Sequence, residues 1–551
     1  MNENCGSIPL ILFEDEHLLV VNKPAGMNTH SPSQYAGEGL YEWLKNREPR
    51  WASLAIIHRL DKETSGLIVF TKSPLANRLL TAQFEKREVH KKYILLTDRK
   101  VDPEKFTARS CLIRVGDRYV SRPPHAGGEM AETLFSLLPG TGRMPVLRWT
   151  DSMPVLPWTD SLRRVQAEPL TGRTHQIRVH AADHGFPVFG DTFYGGTEAE
   201  RVCLHAAEIS FKHPASGQDV VFSAPDDFDA DPRLAIRDAL IDVRATDAFR
   251  VIHGAADGWP GLYVDRLAGF LLAQSELPLG STDLKFLAKS MERLAAAGVY
   301  HKLLRRHVQK SSVEAASPQL VLGTAAPEEF VIRENGAQFA LRFSEGYSVG
   351  LFLDQRDNRR RLLTRYVAPE FALDGLAGGE TLNAFAYTCG FSVCAAKAGA
   401  RVTSLDLSKK YLDWGKHNFE LNGIDPARHD FIFGDVFDWM RRLAKKSRLY
   451  DAILLDPPTF SRSKEHGVFQ AEKDYGELAA AALPLLKPGG VLFASTNAAT
   501  LQPGDFLQSL SNAILASQRT IQQLQFIPQP PDFPLHRSEP AYLKTVWIRV
   551  G

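Results

Sequence analysis

A chain of 551 residues is too long for one hydrophobic core, so two or three domains are expected. Its 44% hydrophobic and 23% charged residues are those of an ordinary soluble globular protein. A net charge of +1 excludes a surface that is basic throughout. Any nucleic-acid contact must then be local, as in KREVHKKY (86–93), HKLLRRH (301–307), DNRRRLLTR (357–365) or RRLAKKSR (441–448), and each of these alone is more often a solvated helix face.

Residues 8–225 carry short strand-like runs between turn signals: LLVVNKPAG, GLIVFTK, KKYILLT, RRVQAEPLTG and THQIRVHA. In the last of these, residues 177–180 are expected to alternate faces, which points Arg178 and His180 the same way. Two adjacent nine-residue copies, MPVLRWTDS (144–152) and MPVLPWTDS (153–161), are too short and too few for a solenoid and suit a duplication in an exposed loop. SAPDDFDADPR places a boundary near 230. From about 245 to 345 the pattern is again strand-rich. From 346 onward apolar strands (ETLNAFAY, RVTSLDLS, HDFIFGD, YDAILLDPP, GGVLFAST) alternate with helical segments, which predicts an open, mainly parallel sheet with helices on both faces.

The five cysteines are scattered and odd in number, so a disulfide framework is not expected and a reduced cytoplasm is the default. They form no zinc-ligand spacing. The opening IPLILF runs into an acidic EDE and does not read as a signal peptide, and no run is long enough to span a membrane.

Two carboxylates stand at the ends of apolar strands. The first is Asp61, in IIHRLDKETSGLIVFTKS (56–73), next to His58 and Arg59 and ahead of a Thr64-Ser65-Gly66 turn. Downstream, LTGRTHQIRVHA (170–181) supplies Arg173, His175, Arg178 and His180. An Asp beside a fixed guanidinium stays ionised and oriented, which suits a nucleophile or an electrostatic catalyst. A buried Asp–Arg pair that merely fixes a turn is the other reading. No Ser or Cys nucleophile with a matching base is apparent.

HRLDKETSGLIVFTK resembles the signature of the RluA-type pseudouridine synthases. NKPAGMNTH (22–30), KKYILL (91–96), GRTHQIRVHAADHGFPVFGDTFYGG (172–196) and LHAAEISFKHP (204–214) are similar to the rest of that pattern, in order. The resemblance covers about residues 8–228 and implies a mainly antiparallel mixed sheet. It makes Asp61 the catalytic aspartate and Tyr93 the aromatic residue beneath the uracil and relay for the C5 proton. It pairs Asp61 with an arginine of the 172–180 segment, Arg178 ahead of Arg173, and makes Arg59 the residue that holds the helix open while uridine is flipped out. Isomerising uridine needs no cofactor or metal, only a carboxylate, a base and access to an unstacked nucleotide. The S4-type domain that often precedes this fold is expected to be absent.

The second carboxylate is Asp456, which ends YDAILLD, while Asp406 ends RVTSLD and Asp435 follows FIFG. In open α/β sheets ligands lie at the carboxyl ends of strands. The glycine loop is weak: LNAFAYTCGFSV holds one glycine, Gly390. In DPPTF, Pro457 and Pro458 stiffen the loop that aims Asp456, and Phe460 suits stacking on a base. This half resembles the class I SAM-dependent methyltransferases of the large-subunit rRNA type, both the cytosine-C5 enzymes and the guanine-N7 half of a two-domain enzyme. The similarity spans GYSVGLFLDQRDNRR (346–360), the strands and helices that follow, and YLK (542–544). It reaches upstream into DGWPGLYVDRLAGFLLAQ (257–274), as a small β-rich domain, with the PUA-type RNA-binding domain of some members missing.

The resemblance implies SAM as cofactor, with Asp406 on its ribose and Asp435 on its adenine. The 383–390 loop, through Asn383, Phe385, Tyr387 and Gly390, would cradle the methionine part, and Gln355 and Arg356 would border the cleft with Asp456. Cytosine C5 is not nucleophilic, and its enzymes first add a cysteine thiolate. The expected position, near the end of the fifth strand, reads LFASTNAATL, with Asn497 and no cysteine; Cys389 and Cys394 read as packing. Guanine N7 is therefore favoured over cytosine C5.

The chain thus reads as an α/β multidomain, bifunctional RNA-modifying enzyme of the cytoplasm. A synthase domain is expected over 1–230, a linker and small β-rich RNA-recognition domain over 231–345, and a Rossmann-like methyltransferase over 346–551. Its partner is RNA, 23S rRNA first and tRNA second, with no membrane and no metal. The competing class is an RNA-binding or assembly factor with one active half, against which the intact acids speak. A methyltransferase acting on protein or DNA is a third reading, which the attached synthase disfavours.

Overall fold

The structure is a computed structural model. It describes residues 8–551 except 38, 124, 126, 140–148, 151–152, 155–161, 227, 305–315, 347, 464–466 and 537–540. The nine-residue repeat lies largely outside the described residues. The strands that flank it, Glu129–Leu137 and Arg163–Pro169, pair antiparallel, so the repeat belongs to the connection between two neighbours.

Three sheets carry the architecture. The first has eleven strands. Ser65–Thr71 sits near its middle and is buried along its whole length. Period-2 alternation explains how: Ile68 and Phe70 enter one core with Leu19 and Val21, whereas Leu67 and Val69 enter a second with Leu18, Val20, Ile209 and Phe211. Pairing is antiparallel except between Ser65–Thr71 and Leu204–Lys212. At that parallel seam Gly66 lies against Ala206, where a Cβ would meet the carbonyl oxygen at 2.4 Å, at a φ of +113°.

Two local expectations are overturned. The turn at the lip of this strand is Asp61–Thr64, closed by the Thr64 amide on the Asp61 carbonyl (3.1 Å), and Ser65 and Gly66 already belong to the strand. The run QIRVHAAD is a helix, Gln176–Asp183, not a strand. Its first six residues are all buried, so its hydrophobic alternation says nothing about one wet face and one dry face. On a helix Arg178 and His180 diverge. Arg178 turns to Asp191 and Asp61, and His180 turns to Ser110 (3.0 Å) and Thr133 (2.9 Å).

The second sheet has five strands, Ala248–His253, Leu262–Leu267, Phe270–Ser275, Gly298–Leu303 and Gln319–Gly323. Helix Ser281–Arg293 makes the crossover between its one parallel pair. A hairpin follows, Phe330–Glu334 with Ala337–Leu341, turned by Asn335 and Gly336, both at positive φ.

The third sheet has seven strands in the order Asp430–Phe433, Arg401–Asp406, Glu380–Ala384, Tyr450–Leu455, Leu486–Thr496, Lys544–Val550, Ile521–Ile527. The first five run parallel, and Lys544–Val550 runs antiparallel to both neighbours. The order reverses at Glu380–Ala384, which puts the ligand crevice at the carboxyl ends of that strand and its neighbours. No helix among the described residues is long and apolar enough to cross a membrane.

The sheets are tied by buried ion pairs. Arg237 grips Asp257 (2.9 and 2.7 Å) and the Asp532 carbonyl (2.7 Å), and the Asp532 carboxylate takes both end nitrogens of Arg356 (2.8 and 2.6 Å). The first and third units touch directly. Arg360 donates to the carbonyls of Arg47 and Asn46, and the Tyr366 hydroxyl donates to that of Lys45 (2.9 Å), at the carboxyl end of helix Leu40–Lys45, where cations are favoured.

Candidate active sites

A cleft of about 1050 Å³ opens on the first sheet, lined among others by Arg59, Asp61, Tyr93, Arg173, His175 and Arg178. The loop bearing Asp61 is held from beneath. Buried Lys23 donates its Nζ to the carbonyls of Pro24 (2.9 Å), Met27 (2.7 Å) and Lys62 (3.2 Å). Burial, opposed by Glu63 and Asp61, lowers its pKa to about 7. His58 anchors the other side. Its Nε2 accepts the Val69 amide (3.1 Å) and its ring stacks on Phe84. Burial, with Lys91 nearby, pulls its pKa down to about 3, so it stays neutral. The tetrapeptide HRLD is thereby clamped at both ends.

Asp61 faces Arg178, whose Nη1 lies 3.5 Å from its Oδ2. Arg178 is itself fixed by Asp191, through Nε to Oδ2 (2.7 Å) and Nη2 to Oδ1 (2.8 Å). Burial opposes the guanidinium charge, but Asp191, Asp61 and Glu63 outweigh it and raise its pKa. His175, at a φ of +56°, sets its Nδ1 2.7 Å from the Tyr194 hydroxyl and its Nε2 3.8 Å from Asp61. Arg173 points elsewhere, to Glu129 (3.2 Å) and the Met130 carbonyl (3.3 Å). Tyr93 is buried on His90–Thr97, and burial and then the Asp61 charge push its phenol pKa upward, which keeps it protonated. Arg59 is exposed at the cleft wall.

The other two carboxylates lie on the third sheet. After Glu380–Ala384 the chain carries three non-glycine residues at positive φ: Phe385 (64°), Tyr387 (49°) and Cys389 (64°). Each costs about 1–3 kcal/mol, and such strain persists where the surroundings over-determine a site. Gly390 follows, where a Cβ would meet Leu351 at 2.8 Å. The Cys389 sulfur is accommodated by Gly415 on helix Lys409–Leu421, where a Cβ would stand 2.3 Å from it. Asn383 donates to Ser392 (2.8 Å), but its buried Oδ1 has no partner among the described residues.

Asp406 accepts the Tyr387 amide on Oδ2 and the Ser408 amide on Oδ1, both at 2.8 Å. Burial raises its pKa against those two bonds. The register pairs Asp406 with Phe433, and Leu407 and Phe433 are both exposed at this edge. Asp435 caps helix Val436–Lys445 through Oδ1 on the Asp438 amide (3.0 Å). The orphaned Asn383 oxygen, the strained loop and the acids at adjacent strand ends suit a SAM molecule, which Asp406 would hold by its hydroxyls.

Gln355 is bonded to Asp456. Its Nε2 donates to Asp456 (3.2 Å) and Ser495 (2.7 Å), and its Oε1 accepts from Asn358 (2.8 Å), so its amide is spent within the protein. Arg356 is likewise buried against Asp532. Burial, only partly offset by Ser495, pushes the Asp456 carboxyl up to about 6. The loop after it is tied to the fifth parallel strand by the Thr459 hydroxyl on Asn497 Oδ1 (2.6 Å), and Phe460 is exposed at the start of a hairpin.

Residues 249–549 match the family model for S-adenosylmethionine-dependent methyltransferases, and residues 17–183 match that for RNA pseudouridylate synthases. A ribosomal RNA large subunit methyltransferase of Deinococcus radiodurans is 32% identical over 324 residues, 58% of this chain and 76% of that one. The chain belongs to the S-adenosylmethionine-dependent methyltransferase family. A ribosomal RNA large subunit methyltransferase I of Aeromonas salmonicida is 31% identical over 57% of this chain and 77% of its own. Among solved structures, a SAM-dependent methyltransferase from Streptococcus mutans is 30% identical over 55% of this chain and 75% of its own, with a TM-score of 0.45.

This methyltransferase therefore also carries an RNA pseudouridylate synthase domain, and the chain joins two enzyme activities, one of them using SAM. Several residues around its sites escape a reading of the sequence. Asp191 is one, although two tightly packed glycines bracket it: a Cβ at Gly190 would meet the Arg201 carbonyl at 1.7 Å, and one at Gly196 the Val188 carbonyl at 2.1 Å. Lys23, Ser392 and the Thr459–Asn497 bond are others, although Lys23, Ser392 and Thr459 all sit within segments whose motifs are quoted above.

Proposed function

We propose that the first site isomerises uridine and the second methylates guanine N7, both in large-subunit ribosomal RNA, with tRNA the alternative substrate of the first. The synthase reading rests on one observation: a carboxylate on a clamped loop faces an arginine that a second, buried carboxylate holds in place. Arg59 fills the space left when uridine leaves its stack. Asp61, aimed by Arg178, acts on the sugar–base bond as nucleophile or electrostatic catalyst. After N1–C1′ breaks and C5–C1′ forms, the Tyr93 oxygen takes the C5 proton as its hydroxyl releases its own to solvent, and N1 takes a proton up in exchange, so none is gained or lost.

For the methyltransferase, the relatives' names support the large ribosomal subunit as substrate, and on that reading the enzyme acts in the cytoplasm. When bound, SAM supplies an electrophilic methyl group. The acceptor atom is argued from cysteines. Cys389 and Cys394 are fully buried, and burial pushes both thiols up to about 12, so neither is a thiolate at neutral pH. The end of the fifth parallel strand carries Asn497, bonded to Thr459. A base with its own lone pair needs only to be positioned, and guanine N7 is such an atom. Asp456, oriented by Gln355, holds the base by accepting its N–H groups.

The test is nucleotide-resolution mapping of pseudouridine and methyl marks in rRNA and tRNA from cells with and without the gene. Loss of at least one pseudouridine and one 7-methylguanosine is expected. Unchanged marks in both RNAs would remove the substrate assignment.

A further inference from the structure

A second cavity, about 670 Å³, lies between the five-stranded sheet and the segment 348–354. Arg250, Asp265 and Gln274 line it from the sheet, Phe352 and Asp354 from the segment, and Phe533 and Tyr542 from the chain that returns to the last strand. None of residues 383–390, Asp406 or Asp435 lines it, so it is separate from the groove assigned to SAM. It borders that groove all the same. The Phe352 ring centroid is 5.4 Å from that of Tyr387 in the strained loop, and Asp354 precedes Gln355, which holds Asp456.

The cavity has the size of a small-ligand site and a mixed wall of aromatic, aliphatic and polar groups. Its cationic donors are committed: Arg250 is bonded to Asp265 (2.6 Å) and His253 (2.8 Å), and Lys302 to the Gly346 carbonyl (2.8 Å), while the Gln274 amide can donate or accept. Its acceptors are less so. Tyr542 donates to Asp354 Oδ2 (3.0 Å), but Asp354 Oδ1 is engaged by no described residue. Glu276 stands exposed at the rim. An acceptor-rich wall suits the base whose Watson–Crick edge offers two neighbouring donors, N1–H and the N2 amino group. That base is guanine; adenine, cytosine and uracil each offer a single donor group on that edge, next to acceptors.

Resting on the methyltransferase reading above, we propose that this cavity receives the flipped target base, and that Asp354 selects guanine by accepting its Watson–Crick donors beside the Phe352 and Tyr542 rings. Anchoring that edge leaves N7, on another edge, open to transfer. Asp354 is then a recognition residue that shares the N–H groups of the base with Asp456.

The test uses the full chain with SAM and a 23S rRNA transcript. Gln274→Trp fills the cavity from the sheet, and Leu277→Trp narrows its mouth at a side chain that is 75% exposed, where misfolding is not a concern. Asp354→Asn replaces an acceptor with a donor. All three are expected to bind SAM within about 2-fold of wild type by calorimetry and to form pseudouridine normally, while kcat/KM for methyl transfer falls at least about 100-fold. Wild-type kcat/KM for methyl transfer in Leu277→Trp would overturn the cavity assignment, and in Asp354→Asn the guanine contact. If the unaltered chain methylates another base, the guanine reading fails, and Leu277→Trp assayed on that base decides whether the cavity is still the entry site.

Discussion

Arg178 gives two nitrogens to Asp191 and leaves the third, Nη1, 3.5 Å from Asp61. A guanidinium held by one carboxylate and offered to another is a rigid electrostatic reference for the second. Asp61 can thus be aimed without being neutralised by a tight salt bridge.

Asp61→Asn is expected to abolish pseudouridine formation and leave methyl transfer intact, because nothing in the third sheet depends on that loop's charge. Asp191→Asn tests the indirect contribution. If Arg178 loses its anchor and drifts by about 1 Å, pseudouridine formation should drop about 100-fold. Single-turnover assays of both variants decide, and near-wild-type isomerisation in Asp61→Asn would sink the assignment.

Asp406→Ala removes a charged acceptor at the strand end nearest the strained loop. SAM affinity should weaken by about 1.5–3 kcal/mol, the range for hydrogen bonds to an ionised group. Calorimetry measures this directly. Pseudouridine formation should proceed in the same variant, and in the wild type without SAM.

Methyl transfer should fall on the acid side. Burial raises the Asp456 carboxyl to about 6, so below that pH the group is protonated and no longer accepts from the base. The ionised fraction, and with it kcat/KM, should drop about tenfold per pH unit below pH 6. Pseudouridine formation should lack this limb. A methyl-transfer profile flat from pH 5 to 7 would show that Asp456 does not act as a carboxylate.

A cytosine-C5 enzyme passes through a thiolate adduct and is trapped by RNA containing 5-fluorocytosine. No trapped complex is expected here. The methylated guanine should carry a positive charge, so mild reduction followed by aniline should cleave the RNA at that position. An adduct that disappears in Cys389→Ala or Cys394→Ala would give those buried thiols a catalytic role.

Deleting 153–161 should leave both activities in place, because the strands on either side of the repeat pair with each other and need only a connection. Loss of soluble protein or of isomerase activity on deletion would show that the second copy is part of the fold.

Some of this protein is local and was legible residue by residue. The apolar run 67–70 makes a buried strand, and strands alternating with helices after 346 make a parallel sheet whose acids fall at carboxyl ends. Those features depend on period and connection length, which a short window of sequence contains. Tertiary structure decided the rest. The segment QIRVHAAD has a strand's alternation, yet it is a helix because Arg178 and His180 find buried partners on different sides, in Asp191, Ser110 and Thr133. Asp456 and Ser495, which take the Gln355 amide, stand 101 and 140 residues away from it. Asp354 and Tyr542 meet across 188 residues of chain. A buried charge or amide is stable only with a partner, and that partner's position is set by how the whole chain packs, not by its neighbours in sequence.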